Sequence, residues 1–149
     1  MPYGYTFIGK GTTDRRWDVV RQEVEVYQVL QPVQGSAVPV FLGSVDLSQI
    51  YFYGPARITH FLLLSWCGHE LDLMSCEQEQ WDAYQRTVQR IRCLGVHHGK
   101  LHWSNVLWNP QMRCVQLISL HKVKLLPKLL GKRKQAALCN MPGKRVSVT

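Results

Sequence analysis

The chain has 149 residues, 46% of them hydrophobic and 19% charged, which is enough to bury one ordinary core and points to a single domain. Its longest strongly apolar stretch, Ile58 to Trp66, is broken by Thr59 and His60 and falls short of the roughly 20 residues of a membrane helix. Met1 to Lys10 carries no secretory pattern, so an intracellular protein, nuclear or cytoplasmic, is expected.

The formal charge of +8 is divided unevenly. Residues 1–82 hold five basic and ten acidic side chains, −5, whereas residues 83–149 hold thirteen basic and no acidic ones, +13. The second half should therefore attract polyanions or acidic partners. Five widely spaced cysteines, Cys67, Cys76, Cys93, Cys114 and Cys139, suit neither a disulfide framework nor a zinc site and read as reduced thiols. Cys93 with His97, His98 and His102 matches no metal-ligand spacing.

In chain order, Tyr5 to Ile8 reads as a short strand closed by Gly9, Gly11 and the Thr12 to Asp14 cluster. Trp17, Val20, Val24 and Tyr27 fall at helical spacing, with Asp14 placed to cap and Pro32 to stop, so a helix is expected over about 15–30. Val38 to Val45 reads as a strand that Pro39 assigns to an edge. Ile50 to Tyr53 and Ile58 to Trp66 form the arms of a hairpin around Gly54 and Pro55. The first 66 residues thus make a small antiparallel sheet with one helix packed on it. Ser75 and Gln78 suggest a capping box ahead of a second helix with an apolar stripe of Trp81, Tyr84, Val88 and Ile91, ending near Gly95. His97 to Ser104 lacks periodicity. Val106 to Trp108 and Val115 to Ile118 flank the turn residues Asn109 and Pro110 as a second, short hairpin. The fold class is α+β, with the core ending near residue 126 and residues 127–149 a basic, mobile tail.

One stretch carries a resemblance. His98 to Trp108, directly after the second helix, resembles the catalytic loop of protein kinases, in which a His is followed two residues on by an Asp and five further by an Asn. His98 and Asn105 match, and Lys100 stands at the Asp position. Val115 to Ile118 resembles the strand before that family's metal-binding triplet, whose place is taken by Ser119, Leu120 and His121. Lys10 and Glu23 resemble its phosphate-contacting Lys and paired helix Glu, and Phe61 to Trp66 with Gly68 and Leu71 its hinge. The order of the pieces, with the run from Gln34 to Gly43, is similar to that of fungal protein-kinase-like proteins.

The resemblance implies a partial kinase-like fold over residues 1–126, with a small-lobe-like part at 1–66 and the start of a large lobe at 67–126. It also implies a pseudokinase. Phosphoryl transfer needs an Asp to accept the substrate proton and another to hold magnesium, and Lys100 and Ser119 supply neither. The function expected is an inactive module acting through binding to a protein partner. Two alternatives stand beside it: an ATP-binding protein or weak serine/threonine-type kinase, with Lys10, Glu23, Asn105 and Lys100 contacting a nucleotide without strong magnesium dependence, and a basic nuclear or nucleic-acid-associated protein. For the last, Lys132, Arg133, Lys134, Lys144 and Arg145 form a patch suited to polyanions or nuclear-import factors. No aromatic residue follows Trp108, so base stacking by the tail is not expected.

Overall fold

The computed structural model describes residues 5–99, 101–120 and 123–125. Its architecture is α+β, with small antiparallel sheets and two helices of more than one turn. Strand β1 (Phe7–Thr12) leads through a 3₁₀ turn at Asp14–Arg16 into helix α1 (Trp17–Val29), followed by the long strand β2 (Phe41–Tyr53) and its partner β3 (Ala56–Ser65). The short β4 (His69–Glu70) precedes helix α2 (Gln78–Cys93), and β5 (Val96–His98), β6 (Val106–Asn109), β7 (Cys114–Leu117) and β8 (Val123–Leu125) complete the described strands.

The first sheet has the order β1-β3-β2, so the apolar run of β3 is paired on both sides. Side chains of directly opposed residues share a face. Ile8 and Phe41 both oppose Leu64, and Lys10 and Ser44 both oppose Leu62. Leu62 and Leu64 are buried, and this is the face that α1 covers. Helix α1 turns Val20, Glu23, Val26 and Tyr27 inward, a stripe at three- and four-residue spacing. Tyr27 then stacks on Phe41 with ring centroids 5.8 Å apart.

Several boundaries differ from expectation for local reasons. β1 does not stop at Ile8 but continues through Gly9 and Gly11 to Thr12. Those glycines lie under the Phe61 ring, and a Cβ on Gly11 would sit 2.9 Å from Ile58 Cγ2 and 3.2 Å from the ring, so they are strand residues chosen for close approach rather than terminators. The two strands expected over 38–45 and 50–53 are one bulged strand, β2, at the sheet edge. Asp14 does not cap α1; its carboxylate is taken by Thr59 and His60 instead.

Helix α2 is capped by Glu77 with Gln80, while Ser75 bonds to Asp72. It buries Ala83, Thr87 and Ile91; of the expected stripe Ile91 is in the core, Tyr84 and Val88 pack against it partly buried, and Trp81 is exposed. Its small residues let β7 approach closely enough for the Thr87 hydroxyl to donate to the Val115 carbonyl at 2.7 Å, while Trp81 and Tyr84 pack on each other at the flank. The 106–118 hairpin forms as β6 and β7. His97 and His98, from the stretch without periodicity, form with Val96 the strand β5 that pairs with Val123–Leu125. Among the described residues no helix is long and apolar enough to cross a membrane. The basic tail expected over 127–149 lies outside the described residues.

Candidate binding cleft

Helix α1 places a carboxylate where its periodicity demands an apolar side chain. Glu23 lies three residues after Val20 and four before Tyr27, and its side chain is 0% exposed. A carboxylate held away from water needs a cation or hydrogen-bond donors. Glu23 has both: Lys10 Nζ lies 2.5 Å from Oε2, and the Leu120 backbone N–H donates to Oε1 at 3.3 Å. One side chain thereby joins β1, α1 and the segment after β7, the last contact closing 97 residues of chain. Lys10 reaches this pair from the covered sheet face, and its side chain remains 35% exposed.

The segment after β7 is shaped for this junction. The Leu117 N–H donates to the Ala37 carbonyl at 2.9 Å and the Ile118 N–H to the Asn105 carbonyl at 3.0 Å. Ser119 then takes φ of 61°, the left-handed region that few non-glycine residues adopt, and this turns the Leu120 amide toward Glu23. Leu120 itself is fully buried.

Between these elements lies a cleft of about 330 Å³. Lys10, Glu23 and Ser119 supply side-chain polarity, and Ile8, Leu64 and Ile118 supply apolar walls. Cys67 also faces it; burial pushes its thiol up to about 11, so it stays protonated near neutrality. Behind the cleft, the Tyr27 hydroxyl is buried with no hydrogen-bond partner, and burial with the nearby Glu23 carboxylate holds its pKa well above the ordinary phenol value. Glu23 is the only carboxylate among the described residues of the lining, and it is fully committed.

Of the residues singled out from sequence, the structure brings Lys10, Glu23 and Ser119 together. Asn105 is not in the cleft lining and contributes through its backbone carbonyl to Ile118. His98 sits on β5, opposite Val123, beside a separate small cavity under α2. Lys100 and His121 lie outside the described residues. Cys67 is read from sequence only as a reduced thiol and Leu120 only as part of the triplet, not as members of a cleft. For Leu120 no local signal exists, because the partner is a backbone group that tertiary structure delivers.

No family model matches the chain. A curated fungal protein, "Meiotic driver SPOK2" of Podospora anserina, is 35% identical over 129 residues, covering 85% of this chain and 16% of its own length. The chain therefore spans about a sixth of the relative it matches. This finding corrects the protein-kinase-like recognition and the labels pseudokinase and protein kinase domain: the relative is described as a meiotic driver and not as a protein kinase. The resemblance rested on few residues at loop spacing, and two of the matched positions, His98 and Asn105, do not present their side chains to the cleft that holds Lys10 and Glu23. The α+β class does not depend on that recognition, and the fungal origin of the relative agrees with the fungal character expected. This chain is similar to one segment of a much longer meiotic driver.

Proposed function

We propose that the chain is a non-catalytic binding module of a driver-type protein, and that its cleft takes a nucleotide-class ligand with a phosphate at Lys10 and the ring between Ile8, Leu64 and Ile118. The observation that carries this reading is the ion pair: a fully buried glutamate holds a partly exposed lysine in the lining of a cavity whose volume falls within the usual small-molecule range of roughly 300–1,000 Å³. Lys10 gives Glu23 one of its three ammonium protons and keeps two for a phosphate. The described lining supports the non-catalytic half of this reading. Glu23 is spent on Lys10 and Leu120, so it cannot serve as a base, and the Cys67 thiol is not an activated nucleophile. With no second carboxylate among the described lining residues, binding should not depend strongly on magnesium.

The thiols of Cys67, Cys76 and Cys114, which form no disulfide among the described residues, support a reducing, intracellular setting. The test is a melting-temperature series with ATP, with and without magnesium. The unaltered protein should be stabilised in both cases, and a Lys10→Met/Glu23→Gln double variant, which removes the ammonium without stranding a charge, should not. An unchanged melting temperature with ATP defeats the nucleotide reading, and transfer of labelled phosphate to a peptide defeats the non-catalytic one.

A further inference from the structure

Lys10 lines two cavities, and only one of them is the cleft described above. The second, about 380 Å³, is lined by Lys10 and Arg16, by the hydroxyl residues Thr12 and Thr13, and on its apolar side by Val20 and Ile58 among others. Among the described residues no carboxylate lines it, although residues 1–82 carry twice as many acidic as basic side chains. Arg16 takes part in none of the ion pairs among the described residues. Thr12 is only 6% exposed, and its hydroxyl has a 3.5 Å contact with the Thr13 carbonyl, long for an O–H···O bond. The Thr13 hydroxyl caps nothing at the turn that follows it. A chamber with two cations, two under-used hydroxyls and no anion is built for negative charge.

We infer that this chamber is the polyphosphate subsite of the cleft. The inference rests on the nucleotide reading above and sharpens it: the ligand is a nucleoside di- or triphosphate, and Arg16 is the residue that distinguishes it from a monophosphate. β1 supplies the geometry. Ile8 and Gly9 face the cleft, Lys10 faces both cavities, and Gly11 and Thr12 face the chamber. At roughly 3.3 Å per residue the strand covers about 7 Å from Lys10 to Thr12, a length that two or three linked phosphates span. A first phosphate at Lys10 thus leads the next toward Arg16, whose planar fork binds phosphate oxygens in pairs.

The experiment is calorimetric titration of the full chain and its Arg16→Gln variant with AMP, ADP, ATP and inorganic tripolyphosphate. Arg16 is exposed, so the variant keeps the fold, which an unchanged melting temperature without ligand verifies. The unaltered protein should bind ATP at least about tenfold more tightly than AMP, the size of one charge-assisted hydrogen bond. In the variant this difference should collapse while AMP binding stays the same, and Arg16→Lys, with charge but no fork, should fall between. Equal affinity for AMP and ATP, or a difference that survives Arg16→Gln, overturns the chamber and leaves the cleft reading standing. Tripolyphosphate binding that depends on Arg16, without any AMP binding, supports the chamber and overturns the nucleoside half. Binding of none of the four overturns both.

Discussion

Glu23 and Lys10 are unequal partners, and their replacements should cost unequal amounts. Lys10→Ala strands a carboxylate of zero exposure with one amide donor, so a loss of about 3–5 kcal/mol is expected at pH 7 in urea unfolding. Glu23→Gln keeps an acceptor for Leu120 and leaves a lysine that water can reach, so about 1–2 kcal/mol is expected. Equal losses for the two would mean that Glu23 is hydrated. His60 on β3 makes a second test. Nδ1 lies 2.7 Å from Asp46 and Nε2 2.9 Å from Asp14, and its ring stacks on Trp17 at 4.2 Å. Carboxylates only accept, and a neutral imidazole has one N–H, so both contacts require the imidazolium. The hydrogen bond to Asp46 foremost raises the His60 pKa, and the hydrogen bonds from Thr59 and then His60 lower that of Asp14. A raised histidine pKa means stabilisation fully present below the ordinary value of about 6.5 and lost as pH rises through the folded value. The lowered aspartate contributes above its ordinary value and is lost as pH falls through the folded one. Melting temperature should therefore decline in the unaltered protein as pH rises from about 6.5 through the raised His60 value. That decline should flatten in His60→Gln and in high salt, since both aspartates are exposed. An identical pH profile for the variant would rule out His60 as the titrating group.

Among the elements, α1 was the most legible, because its apolar spacing is long and its stop signal sharp. The same helix hid its most informative residue from periodicity: Glu23 stands in the buried stripe between Val20 and Tyr27, and a charge at a core position was the available signal. Strand β1 was misplaced because Gly9 and Gly11 were read as punctuation, when their missing side chains make room for Phe61. β8 went unread since three residues carry no period of their own and pair with β5 across the chain. The short β4 depends on a glycine in a different way. Gly68 has φ of 114°, and a Cβ there would collide with the Trp108 carbonyl where β4 pairs with β6. Gly68→Ala should cost at least about 1–3 kcal/mol from backbone strain alone. It should also disturb the neighbouring Cys67, detected as faster alkylation of a thiol that is otherwise buried and protonated. A stable variant with an unreactive Cys67 would mean that this turn adapts without moving the cleft.

Across the whole molecule, the two halves of the chain are stitched along one line. Leu117 N–H reaches Ala37, the Gln116 side chain reaches the Gly35 carbonyl at 3.0 Å, and Leu120 N–H reaches Glu23. Each of these bonds ties β7 or the segment after it to the helix–sheet layer formed by the first 66 residues. Buried amides exchange with solvent only when the structure that covers them opens, locally or globally. If the stitches hold the halves as one cooperative unit, the amides of Leu117 and Leu120 should exchange as slowly as those within α1, such as Tyr27. Glu23→Ala removes the acceptor at one stitch only, so the Leu120 amide should exchange faster by orders of magnitude while Leu117, bonded to a backbone carbonyl, changes far less. A ligand at Lys10 should slow all three, because it binds the closed form and raises the free energy of opening. Should Leu117 and Leu120 both exchange far faster than Tyr27 in the unaltered protein, the halves open independently. A cleft built from both would then exist only while they are joined, and ligand affinity would carry the cost of bringing them together.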